Sequence, residues 1–236
     1  MEKKWLIIGI LIILGIASIW QFGNMLGLTI KNSSEEIIDF SADSYLDNET
    51  FIVSQYSIKD DGYFGKVFYL NGSDFVRTKR VNITENDGFS VSVLAKVEDS
   101  TNKNALGLIS SSSQDDEIGF RLLYRNFDDK DRVYFNVGFA EDYAEIEKGS
   151  CLNKWCYYTL TYNPKNGNVK VYLNGDKMKE VNTNSKISAS KNINIGRTID
   201  INREYFIGDV ASVKVYKGVL SDKEIKSDYE DLINLK

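Results

Sequence analysis

The stretch Trp155-Cys156-Tyr157-Tyr158-Thr159-Leu160-Thr161-Tyr162, then Asn163-Pro164-Lys165-Asn166-Gly167, then Asn168-Val169-Lys170-Val171-Tyr172-Leu173-Asn174-Gly175, decides the fold class. Two runs of Tyr, Thr, Leu and Val flank a cluster of turn formers. Aromatic and β-branched side chains favour the pleated strand. Asn-Gly supplies the positive φ that a tight hairpin needs. The pattern predicts an antiparallel hairpin turned at Asn166-Gly167 and a second turn at Asn174-Gly175.

Outward from this hairpin the same texture recurs. Runs at 66–70 (KVFYL), 89–97 (FSVSVLAKV), 105–110 (ALGLIS), 119–124 (GFRLLY), 132–139 (RVYFNVGF), 192–196 (NINIG) and 204–216 (EYFIGDVASVKVY) alternate with polar turn clusters. Short strands at this spacing, with no long helical period between them, predict an all-β, two-sheet antiparallel jelly-roll sandwich. Near the end, Ser221-Asp222-Lys223-Glu224 matches a capping box. Ile225, Tyr229, Leu232 and Ile233 then fall on one helical face, predicting a short C-terminal helix packed beside the sandwich.

The N-terminus differs. Residues Trp5 to Phe22 read WLIIGILIILGIASIWQF, without a charge. At 1.5 Å per residue this run spans about 27 Å, enough for the hydrocarbon of a bilayer. Lys3 and Lys4 precede it, which predicts a cytoplasmic N-terminus and an extracytoplasmic domain. Residues 1–22 are therefore expected to be a transmembrane signal anchor of a single-pass membrane protein. Gly15 and Ala17 keep open a cleaved signal peptide. Residues 23–48 read as a polar spacer with a short first strand near Glu36–Phe40, and residues 49–236 as the domain.

Composition narrows function. The chain carries 29 basic and 34 acidic residues, a formal net charge of −5, without the basic balance of a nucleic-acid binder. Histidine is absent, which excludes Ser-His, Cys-His and His-metal mechanisms.

The hairpin at 155–175 resembles the laminin-G-like branch of the concanavalin A-like lectin/glucanase superfamily, where a Trp-led strand, a turn and a strand ending in Tyr-x-Asn-Gly follow one another. Three further stretches resemble it in order: Gly65 to Gly72, Asp87 to Lys96, and a closing signature from Ile193-Asn194-Ile195-Gly196 through Phe206-Ile207-Gly208-Asp209 to Glu224-Ile225. The resemblance covers about residues 51–230 and implies a jelly roll whose signature residues are Trp155, Tyr172, Asn174, Gly175 and Gly208. Trp155 is expected to anchor the core. Leu94 stands where the family pattern has a core Trp. Ala211 stands where many members carry an Asp tied to structural calcium. A hard cation needs several oxygens, and Asp60, Asp61 and Asp209 remain as candidate Ca2+ ligands beside the alternative that they are solvated turn acids.

The superfamily also contains glycoside hydrolases, which need two carboxylates about 5–5.5 or 6.5–9.5 Å apart. Glu141, Glu145 and Glu147 share one strand parity, but Tyr143 interrupts the series. An exposed acidic connector is the plainer reading, and no catalytic residue is assigned. Asp115-Asp116-Glu117 and Asp128-Asp129-Lys130-Asp131 read as solvated loops. Cys151 and Cys156, the only cysteines, are expected to form a disulfide in an oxidising compartment. Asn32, Asn48, Asn71 and Asn82 fit the glycosylation sequon. The expectation is a membrane-anchored recognition domain binding carbohydrate or a surface protein. An envelope glycoside hydrolase and a structural envelope component are the rivals.

Overall fold

Alternating polar and apolar residues produce strands throughout the computed structural model, which describes residues 34–41, 51–98, 105–111, 119–127, 129–188, 192–198 and 204–234. The chain divides into two units, 1–33 and 34–236, and every described residue belongs to the second. The expected signal anchor, Asn32, Asn48 and Asp115-Asp116-Glu117 lie outside the described residues. Among those described, no helix is long and apolar enough to cross a membrane.

In chain order the elements are β1 (Glu35–Ser41), β2 (Phe51–Gln55), β3 (Ser57–Asp61), β4 (Gly65–Asn71), β5 (Phe75–Arg80), β6 (Phe89–Val97), β7 (Ala105–Ser110), β8 (Phe120–Asn126), β9 (Asp131–Val137), β10 (Ala140–Ile146), β11 (Trp155–Asn163), β12 (Asn168–Leu173), β13 (Asp176–Asn182), β14 (Asn192–Ile195), β15 (Ile207–Lys217) and helix α1 (Asp222–Ile233). They form an eight-stranded sheet, ordered β13-β12-β11-β6-β15-β4-β3 with β1 also on β15, and a seven-stranded sheet, ordered β10-β9-β8-β7-β14-β5-β2. The two-sheet sandwich and the short C-terminal helix match the expectation.

β15 has eleven residues and is long enough to hold two partners along one edge: its first half pairs with β4 and its second with β1. β1 lies within residues 23–48, so the sandwich begins before residue 49 and the spacer is shorter than expected. Ile38 and Phe40 of β1 are buried. Phe40 stacks on Phe68 of β4 with ring centroids 4.1 Å apart.

The core lies between the sheets. In β6, Phe89, Val91, Val93, Ala95 and Val97 point into it, while Ser90, Ser92, Leu94 and Lys96 point outward, as strand alternation requires. In β11, Cys156, Tyr158, Leu160 and Tyr162 face the core. Trp155 and Tyr157 therefore face the other way. This corrects the expectation that Trp155 anchors the core. It packs in a separate cluster with Leu94, Val67, Tyr157 and Ala211, beneath Tyr229 and Leu232 of α1. α1 begins at the expected capping box, in which Ser221 Oγ accepts from Glu224 N–H and Glu224 accepts from Ser221 N–H. Its Ile225 is buried against Tyr172, Tyr216 and Leu220.

Two signature positions have clear local causes. Asn174 and Gly175 both have positive φ and close the two-residue turn between β12 and β13. The Asn174 side chain accepts from Tyr157 N–H at 2.9 Å, tying that turn to β11. At Gly208, with φ +140°, a Cβ would stand 2.1 Å from the Lys96 carbonyl oxygen, so only glycine lets β15 run this close to β6. Cys151 and Cys156 form the expected disulfide, with both residues in the core.

Candidate functional site

Across the outer face of the eight-stranded sheet, register brings Ser57, Tyr69, Asp209, Lys96 and Trp155 into one row from five strands. Lys96 Nζ lies 2.8 Å from Asp209 Oδ2 and 3.1 Å from Asp61 Oδ2, over the Trp155 ring. Lys59 Nζ adds a second ammonium, 3.5 Å from Asp209 Oδ1. Burial opposes ionisation of Asp61. The N–H groups of Tyr63 and Phe64 and the Lys96 ammonium outweigh it and hold the carboxyl below its ordinary range. Burial likewise opposes charge on Lys96, but Asp209 and Asp61 raise its pKa.

These residues do not fit calcium. The carboxylates of Asp61 and Asp209 converge on an ammonium, and Asp61 Oδ1 is taken by two backbone N–H groups. Asp60 has the opposite strand parity and is exposed. Ala211 sits in the apolar cluster beneath α1. Among the described residues, no group of three metal-ligating side chains occurs. Asn71 and Asn82 are both exposed.

The acids at 141–147 form an edge strand rather than a connector: Glu141, Tyr143 and Glu145 alternate outward on β10. Glu145 lies 2.7 Å from Lys130 and 3.5 Å from Arg132. Hydrogen bonding from Lys130 holds its carboxyl below the usual range, opposite to what a general acid needs. Glu147 lies past the end of the strand. Asp131 is also not a solvated loop residue. It is fully buried and accepts from Tyr124 OH and from Gly149 N–H.

The outer face of the seven-stranded sheet has a different character. Core-facing Phe120, Leu122, Val133 and Phe135 leave the alternate residues pointing away. Register then aligns Arg77, Asn194, Ser110, Arg121, Asn136 and Glu141 across six strands. A parallel row holds Arg125, Arg132 and Glu145, and Leu123, Tyr134 and Tyr143 lie between the two. The guanidinium of Arg125 sits 4.0 Å from the Tyr134 ring centre. That of Arg132 lies 4.4 Å from both Phe127 and Tyr143, and that of Arg197 lies 3.7 Å from Phe75. Such stacking holds each planar cation in place. Glu204 reaches in with Oε2 3.5 Å from Arg121 and Oε1 3.7 Å from Arg125, and accepts from Thr198 Oγ1. It can do so because Gly107 has no side chain: a Cβ there would stand 2.6 Å from the Glu204 carbonyl oxygen. Sequence reasoning missed this face. Its one local signal was a pair of arginines four residues apart on β8, which gives no hint of the other strands.

A model of the concanavalin A-like lectin/glucanases superfamily, of laminin G type, matches residues 70–226, more than half of the chain. The chain belongs to this superfamily. The match runs from the end of β4 into α1 and takes in strands of both sheets. Solved structures agree on the fold. The binding domain of Paraclostridial Mosquitocidal Protein 1 aligns at TM-score 0.66 and 16% identity over 85% of this chain and 53% of that one. The binding domain of botulinum neurotoxin DC, solved with rat synaptotagmin II, aligns at 0.61 and 15% over 84% and 52%. Domain 4 of AbnA, an extracellular arabinanase from Geobacillus stearothermophilus, solved with arabinotriose, aligns at 0.57 and 16% over 83% and 98%. The chain thus spans about half the length of the toxin binding domains it matches. No curated protein matches this concanavalin A-like sequence.

Proposed function

We propose that the protein is a non-catalytic recognition domain, held outside a membrane by residues 1–22, that binds a glycan on the outer face of its seven-stranded sheet. One observation carries this reading: polar donors and aromatic rings from six strands line a single sheet face, while Glu145 on the same face is held ionised by Lys130 and Arg132. That arrangement suits binding through many hydrogen bonds and, among the described residues, offers no paired acid and base. The likeness to a domain solved with arabinotriose supports a saccharide ligand. The uncharged run from Trp5 to Phe22, preceded by two lysines, supports the anchor. The disulfide supports an oxidising, extracytoplasmic location. Lys96 stands between Asp61 and Asp209, which supports a reading in which these two carboxylates do not hold calcium for the ligand.

The test is a glycan array probed with the full chain in detergent, run in calcium and in chelator, beside a pull-down of surface proteins. Saccharide binding unchanged by chelator is expected. Capture of a protein with no saccharide bound overturns the reading in favour of a protein receptor. Cleavage of an arrayed polysaccharide overturns its non-catalytic half.

A further inference from the structure

Five of the chain's seven arginines, Arg77, Arg121, Arg125, Arg132 and Arg197, stand on the outer face of the seven-stranded sheet or against it. Among the described residues they face three carboxylates there, Glu141, Glu145 and Glu204. In a chain of net charge −5, the described part of this face thus carries more arginines than carboxylates. Arginine rather than lysine dominates it, and arginine presents a planar fork of N–H groups matched to planar oxyanions. The stacked rings fix the fork directions in advance, which reduces the ordering a ligand must impose.

Hydrogen-bond capacity is also left open here. Buried side-chain polar atoms normally find partners. Among the described residues, six such atoms of this face, all shielded from solvent, lack one: Nε of Arg125, Arg132 and Arg197, Tyr134 OH, Asn136 Oδ1 and Asn194 Nδ2. Arg125 and Arg132 remain accessible, with side chains 28% and 24% exposed, at the end of the face nearest the half-open Tyr143 ring.

We propose that this face binds an acidic polysaccharide, with Arg125 and Arg132 taking its carboxylate or sulfate groups and Tyr143 lying against a sugar ring. The proposal rests on the glycan reading above and adds the ligand's charge. A saccharide suits the face better than an acidic peptide does. The donors are spread across the face of six strands rather than around the apolar pocket that anchors a peptide's side chains.

The test is direct binding of the full chain in detergent to four probes: polygalacturonate, dextran sulfate, neutral dextran and poly-glutamate. At least one of the two acidic polysaccharides is expected to bind, and which one separates carboxylate from sulfate. Neutral dextran and poly-glutamate are expected to bind at least tenfold more weakly. Raising salt from about 50 to 300 mM is expected to weaken acidic binding strongly. The double variant Arg125→Gln/Arg132→Gln is expected to lose at least tenfold in affinity at unchanged melting temperature. Its counterpart Arg125→Lys/Arg132→Lys keeps the charge but not the fork and is expected to fall in between. Lys214→Gln, on the other sheet, is expected to bind as the parent does.

Equal loss in Lys214→Gln reduces the effect to general electrostatics and overturns the proposal. So does full binding by the glutamine double variant, or preference for poly-glutamate. Arginine-independent binding of neutral dextran overturns the charge assignment while leaving the glycan reading standing. Binding of no saccharide, charged or neutral, overturns both.

Discussion

Lys96 Nζ lies 2.8 Å from Asp209 Oδ2, directly across the β6–β15 pair, and the same ammonium reaches Asp61 on β3. A side chain of the domain itself thus supplies the positive charge that two converging carboxylates require. The Lys96 side chain is 23% exposed and that of Asp209 only 7%, so solvent screens this cluster less than it screens an ordinary surface pair.

Replacing Lys96 with Met is therefore expected to destabilise the domain by about 1–3 kcal/mol, because two like charges lose their shared partner. Chemical denaturation measures this. Neither calcium nor chelator is expected to move the melting temperature of the parent chain. A rise of several degrees in calcium alone sinks the assignment of Lys96 as the resident cation.

The same cluster sets a pH dependence. The folded-state pKa of Asp61 is depressed, so its contribution is present above the unfolded value of about 4 and is lost as pH falls through the folded value. The folded-state pKa of Lys96 is raised, so its contribution is complete below the unfolded value of about 10.4 and is lost as pH rises through the folded one. Asp39 and Asp228 run the other way, because burial raises their pKa values and protonation relieves them. Melting curves of the parent and of Lys96→Met are thus expected to converge both in acid below about pH 4 and in strong alkali. A constant difference from pH 3 to pH 11 contradicts the account.

Phe40 provides a test of the domain boundary. It is 1% exposed and stacks on Phe68, so Phe40→Ala is expected to lose about 3–5 kcal/mol. A chain begun at residue 45 lacks all of β1 and leaves half of the β15 edge unpaired. It is expected to melt far lower or to aggregate. Circular dichroism melts of the two variants check this, and full stability in the shortened chain places β1 outside the fold.

Gly208→Ala adds a methyl group 2.1 Å from the Lys96 carbonyl oxygen at φ +140°. It is expected to lose roughly 3 kcal/mol or more, since backbone must move to admit it. Gly62, where an added Cβ meets nothing within 4 Å, is the matching control, with less than about 1 kcal/mol expected for Gly62→Ala. Denaturant midpoints of the two variants decide the point.

Local features were legible in the chain. The Asn174-Gly175 turn, the Ser221–Glu224 capping box, the paired cysteines and the alternation of β6 and β11 each depend on residues within a few positions of one another. They define strands, turns and helix start whatever the rest of the molecule does. Alternation alone did not say which face of β11 turns inward, because Trp155 and Tyr157 are as apolar as Cys156 and Tyr158. Only the packing of the second sheet on one side and of α1 on the other sorted them. The functional surfaces are less local still. Asp61, Lys96 and Asp209 meet because β3, β4, β15 and β6 lie side by side. The arginine row exists because six strands settle into one register. A shift of one residue in any strand would turn its member of that row into the core. Long-range pairing, chosen by burial of the opposite face, therefore determines which charges meet, and sequence neighbours carry no record of it.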